Sequence, residues 1–171
     1  MSEFLQILGT ATSRIEHEYF QLPVADKESA IYRERCYCYE LYHQIRSLWE
    51  GGFEKISGEV DKSGHPIIRG NGLDKTKPDF IIHVPESMDE NTAVIEVKPI
   101  TARLGGIKKD INTLVSYLSY AGYKHAIYLF YGPSSHGRGV DKAISYLEKL
   151  EETRVQIWHH ESVGGQAIRV F

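Results

Sequence analysis

Two short apolar runs that carry charge in their interiors constrain this chain more than any other feature. One is Lys77-Pro78-Asp79-Phe80-Ile81-Ile82, the other Thr92-Ala93-Val94-Ile95-Glu96-Val97-Lys98. Both read as buried strands from their β-branched and aromatic content. Burying carboxylates and an ammonium costs several kcal/mol per ion unless they pair or hold a metal. A strand built for stability alone would carry Val or Ile at those positions. The two runs together therefore describe a cation site with a lysine beside it.

Around these runs the pattern predicts a sequence of alternating elements. Residues 3–21 are weakly helical, and Pro23 interrupts them. A long helix follows from about Asp26 to Trp49, with Cys38, Leu41, Ile45 and Leu48 as its core stripe and Gly51-Gly52 as its stop. A strand is predicted around 53–60, then a turn at Asp61-Lys62-Ser63-Gly64, a hairpin partner at Pro66-Ile67-Ile68 and a loop at Gly70-Asn71-Gly72. Strands at about 79–84 and 93–98 come next. A helix opens at Gly105-Gly106 and runs through Tyr120, and the apolar run 124–131 is its parallel crossover partner. A helix near 140–152 and short strands at 155–159 and 167–171 complete the chain. The order predicts an α/β fold with a mixed central sheet, in a single domain spanning 1–171.

Strand alternation places Glu96 and Lys98 on one sheet face, with Ile95 and Val97 on the other. Asp79 joins the first pair if the neighbouring strand runs antiparallel in suitable register. Two close carboxylates repel unless a divalent cation neutralises them. Mg²⁺ suits such a pair, because it takes hard oxygen ligands and keeps several waters. The competing explanation is an internal Glu–Lys pair, with Asp79 capping a strand start after Pro78.

The Pro78-Asp79 and Glu96-Val97-Lys98 elements resemble the PD-(D/E)XK nuclease superfamily, the restriction-endonuclease-like fold. The predicted helix–strands–helix–strand order resembles that family's αβββαβ core over about residues 26–131. The chain would add a C-terminal helix and short strands to it. The resemblance implies Mg²⁺ as cofactor, with Mn²⁺ able to substitute, held by Asp79, Glu96 and the backbone carbonyl of Val97. It assigns Lys98 to the attacking water. It also implies a further acidic residue on the first core helix, for which Glu40 is the candidate and Glu34 the rival. The implied activity is a metal-dependent nuclease, a DNA endonuclease of a defence, repair or mobile-element system. The alternative is a catalytically inactive version of the fold that binds nucleic acid or a protein.

Weaker signals surround this cluster. Lys108 and Lys109, in the first turns of the helix after Lys98, and Arg138, in the loop 132–139, are candidate nucleic-acid contacts. The loop also reads as a plain connection, and the lysines as surface charges. His159-His160-Glu161 is expected to be a surface cluster, since adjacent strand residues point oppositely. Tyr32, Tyr37, Tyr39 and Tyr42 are expected to pack against the sheet. Cys36 and Cys38, two apart on a helix, can neither bridge readily nor form a zinc pair.

The formal net charge of −3 gives no global attraction to nucleic acid, so any such partner needs a local basic patch or a metal. No apolar run approaches the ~20 residues of a membrane span, and the first residues lack a signal-peptide pattern. A cytoplasmic protein without a membrane partner is expected. The small size leaves high sequence specificity to a homodimer or a partner subunit.

Overall fold

The computed structural model describes residues 2–26, 29–49, 52, 54–59, 73, 76–86 and 90–171. Its helices are α1 (Ser2–Ser13), α2 (His17–Phe20), α3 (Glu34–Leu48), α4 (Leu104–Tyr120) and α5 (Gly139–Leu150). Its strands are β1 (Lys55–Gly58), β2 (Phe80–His83), β3 (Asn91–Pro99), β4 (His125–Tyr131), β5 (Val155–His160) and β6 (Ile168–Arg169). They form one sheet in the order β1-β2-β3-β4-β5-β6. The pairs β1–β2, β2–β3 and β5–β6 are antiparallel, whereas β3–β4 and β4–β5 are parallel. The architecture is α/β with a mixed six-stranded sheet flanked by helices.

Alternation along β3 divides the interior in two. Ala93, Ile95 and Val97 join Ile127, Leu129 and Tyr131 of β4 beneath Phe4, Leu8, Tyr37, Leu41 and Ile45. Val94 joins Ala126, Tyr128 and Phe130 on the opposite face, beneath Ile107, Ile111, Leu114, Ala143 and Leu147. Helices α1–α3 therefore cover one face and α4–α5 the other. Seven of the nine β3 residues are buried, as expected for a central strand with layers on both sides. Glu96 and Lys98 share the face of Val94 and point towards α4.

The first core helix begins later than its sequence pattern predicts, at Glu34 rather than near Asp26. Leu22 and Ile31 exchange backbone hydrogen bonds of 2.8 and 3.0 Å, and Arg33 is extended. Asp26 is left-handed, at φ 63°. The bridge joins positions nine apart, and α3 starts only three residues beyond it. The predicted strand around 53–60 is β1, at Lys55–Gly58; the proposed turn 61–64, its hairpin partner 66–68 and the loop 70–72 lie outside the described residues. On α3, Tyr37 is fully buried and Tyr42 stacks on Phe80 at 6.3 Å, while Tyr39 is 63% exposed.

The expectation of a surface histidine cluster is corrected. His160 is fully buried, sharing a 2.9 Å hydrogen bond with the Tyr37 hydroxyl, and His159 donates from Nε2 to the Gly132 carbonyl at 2.8 Å. The two rings do point oppositely, but helix α3 covers one face there and the loop after β4 covers the other. Among the described residues, no helix is long and apolar enough to cross a membrane.

Candidate functional site

The sheet register determines how the two charged runs meet. Phe80 pairs with Ile95, so continuing the register sets Asp79 opposite Glu96 and Pro78 opposite Val97. Two backbone contacts fix Asp79. Its carbonyl accepts from Glu59 N–H at 3.1 Å, and its carboxylate Oδ2 accepts from Val97 N–H at 2.7 Å. Pro78 has no N–H, so it cannot extend the ladder to the Val97 carbonyl. The N–H and C=O of a strand residue face the same edge. The Val97 carbonyl therefore faces the gap that the Asp79 carboxylate occupies.

Two helices close this gap from opposite layers. Glu34, the first residue of α3, accepts from Lys98 Nζ at 2.7 Å, and Asp110 of α4 lies 3.7 Å from the same ammonium. Asp110 in turn accepts from the Tyr128 hydroxyl at 2.8 Å, and Tyr128 is the β4 residue in register with Glu96. The result is a cleft of about 180 Å³ lined by Glu34, Asp79, Glu96, Lys98, Asp110 and Lys109, and also by Thr76, Lys77 and Thr113.

The electrostatics of this cleft are divided. The Asp79 and Glu96 carboxyls are within hydrogen-bond reach of one another. Burial pushes Glu96 well above the usual carboxylate range, and the charges of Asp79 and Asp110 push it further. Burial raises Asp79 too, though the Val97 N–H partly offsets it. Both shifts favour a pair that keeps one proton over a pair that carries two charges. Lys98 behaves differently. Burial works against its charge, but the Glu34 hydrogen bond and the Asp110 and Glu34 carboxylates outweigh it, and the ammonium is held above its usual range. Lys98 is therefore a fixed cation at neutral pH.

Of the residues named from sequence, the structure brings together Asp79, Glu96, Val97, Lys98 and Lys109. It does not bring Glu40. That side chain accepts from Gln44 at 2.5 Å, one turn along α3, and is not part of the cleft lining. Glu34, six residues earlier and thus about 120° away around the helix, lines the cleft. Lys108 lies over the Tyr146 ring at 5.3 Å, and Arg138 pairs with Asp141 at 2.7 Å. Both line a separate groove between α4 and α5. The loop that carries Arg138 is packed rather than open: a side chain at Gly137 would place its Cβ 2.5 Å from the Ile100 carbonyl oxygen.

Sequence reasoning missed Asp110. Its signal was present, because Asp110 sits on the apolar stripe Ile107, Ile111, Leu114 and Tyr117 of α4, where a carboxylate is as out of place as Glu96 is on β3. The Tyr128 hydroxyl left no such signal.

Two buried carboxyls and a carbonyl facing one gap form a hard-oxygen donor set. Among the described residues, no three His, Cys, Asp or Glu side chains converge as a metal cage. The set fits a largely hydrated Mg²⁺, which uses one or two carboxylates and retains several waters. It does not fit a zinc-type cage of three or four protein ligands. Compared with protein-family models and with curated proteins, the sequence matches none.

Proposed function

We propose that this chain is a Mg²⁺-dependent nuclease that hydrolyses phosphodiester bonds in DNA, on a PD-(D/E)XK-like core. The observation that carries the reading is the Asp79–Glu96 pair: two buried carboxyls held against each other, while Lys98 makes its ion pairs with Glu34 and Asp110. An arrangement selected for stability would not leave two carboxyls competing for one proton. A divalent cation removes that competition.

When bound, the cation supplies charge neutralisation and lowers the energy of a nucleophilic water. Asp79, Glu96 and the Val97 carbonyl would hold it. The Val97 N–H orients Asp79, which has little rotational freedom left once that bond forms. Glu34 and Asp110 hold Lys98 from two sides, so the ammonium is positioned before substrate arrives. As a donor-only group it cannot take a proton from water in this state. Its role is to orient the attacking oxygen and to stabilise negative charge growing on the phosphoryl oxygens. Hydrolysis joins the water oxygen to phosphorus and breaks one phosphorus–oxygen ester bond, leaving a phosphomonoester and a hydroxyl.

Plasmid, linear duplex and single-stranded DNA, with an RNA control, incubated with protein and Mg²⁺ or Mn²⁺, test this reading. Metal-dependent cleavage lost in Asp79→Ala and Lys98→Ala supports it. Nicking of closed plasmid identifies an endonuclease. Cleavage that persists in both variants removes the assignment, and metal-independent binding without cleavage favours an inactive nucleic-acid-binding module.

A further inference from the structure

The basic groove between α4 and α5 has no part in the cleft chemistry. It encloses about 390 Å³ and is lined by Lys108, Arg138, Lys142, Lys149 and Tyr146, with Asp141 as its one carboxylate. This concentration of four cations stands on a chain whose formal net charge is −3. Their arrangement is partly fixed. Lys142 Nζ donates to the Ala102 carbonyl at 3.1 Å, Arg138 pairs with Asp141, and Lys108 rests over the Tyr146 ring. Tyr146 is itself held, its hydroxyl donating to Asn112 at 3.3 Å.

The position of the groove identifies its occupant. Lys109 lines the cleft and Lys108 lines the groove, so one helix separates the two. A helix is about 10 Å across, roughly three nucleotides at the ~3.4 Å per-strand spacing of a duplex. A nucleic acid seated in the cleft has its next phosphates within reach of Lys108 and then of Lys142 and Lys149. Cations spread along a groove, with an aromatic ring among them, match a phosphodiester backbone better than a compact anion.

We infer that the α4–α5 groove is a backbone-binding track that holds the substrate strand flanking the cleft, through Lys108, Lys142, Lys149 and Arg138. This rests on the nuclease reading above. The track anchors the strand a few nucleotides from the scissile bond and carries no base readout, so it supports affinity without sequence preference.

The test compares Lys108→Glu/Lys149→Glu with a control of equal charge change elsewhere on the surface, Lys55→Glu/Lys124→Glu. Binding of a 30-nucleotide and a 6-nucleotide DNA is followed by anisotropy over a salt series, with Ca²⁺ present, and thermal unfolding checks the fold. The inference predicts at least tenfold weaker binding of the long DNA by the groove variant and a salt slope shallower by about 2. The control stays within about twofold of the unaltered protein. Equal losses in groove and control variants, or an unchanged salt slope, overturn the track, as does an unaltered protein that binds no DNA. An unaltered protein that binds long DNA in this groove-dependent way but never cleaves it keeps the track and removes the nuclease reading.

Discussion

The Asp79–Glu96 pair and the Tyr37–His160 pair place titratable groups against the same sheet with different outcomes. His160 is buried beside a neutral hydroxyl, and burial lowers its pKa to about 4, so the ring is neutral. Tyr37 also stacks on Tyr131 at 4.0 Å, and Phe20 meets the His160 ring edge-on at 4.8 Å. Burial outweighs the backbone hydrogen bonds with Ser162 and Gly165 that favour the charged form. In the cleft, burial and repulsion act together against ionisation, and Lys98, whose charge partly offsets them, makes its ion pairs with Glu34 and Asp110. The difference separates a polar group settled within the core from a carboxyl pair that, on the proposed reading, a cation would settle. Burial is shared by both; at the carboxyl pair it is offset only in part.

The comparison breaks first at activity. Asp79→Ala or Glu96→Ala is expected to reduce metal-dependent cleavage by about 10³-fold or more, measured on linear duplex DNA under single-turnover conditions. Tyr37→Phe is expected to leave cleavage unchanged and to destabilise the fold by about 1–3 kcal/mol, because it removes the buried hydroxyl bonded to His160. Calorimetry would record that as a drop of about 2–10 °C in melting temperature.

Within the cleft, Glu34→Gln is expected to cost about tenfold in cleavage rate by loosening Lys98, whereas Glu40→Gln stays within about twofold. A loss in Glu40→Gln without one in Glu34→Gln would return the helix carboxylate to Glu40. The smallest effect is on stability without metal. Glu96→Gln removes the shared proton and the repulsion, and is expected to raise the melting temperature by about 2–4 °C at pH 8, a gain of about 1 kcal/mol.

Stability against pH sharpens the contrast further. The carboxyl pair has folded pKa values above the unfolded ones, so the folded state binds more protons and loses stability as pH rises above the ordinary carboxylate range. His160 has a folded pKa below its unfolded value. Its contribution is complete above about pH 6.5 and is lost as pH falls towards 4. Glu96→Gln should flatten the alkaline side of the metal-free stability curve, and Tyr37→Phe should not.

Most of the sheet was legible because its strands are short apolar runs bounded by turn residues. The run 124–131 and the amphipathic 104–120 each carry one unmistakable period, and both lie within one residue of their predicted bounds. The start of α3 was not legible, because the Leu22–Ile31 bridge depends on a contact that helical periodicity does not register. The core of the site was legible as misplaced charge. Asp79 and Glu96 are carboxylates where Val or Ile would stabilise the strand. Glu34 was named as the rival to Glu40 because it falls on the stripe of Cys38, Leu41 and Ile45, and that criterion would also have found Asp110. Burial of His159 and His160 could not be read from strand alternation, which gives direction but not what lies above each face.

Titration of Mn²⁺ into the protein at pH 7.5, followed by calorimetry in buffers of different ionisation enthalpy, tests the cation site most directly. The Asp79–Glu96 pair should bind one cation saturably and release the shared proton, so the observed heat should vary with the buffer. Asp79→Asn/Glu96→Gln should show neither the binding nor the proton release. Binding of the same strength in that double variant, or no binding heat in the unaltered protein in any buffer, would contradict the account.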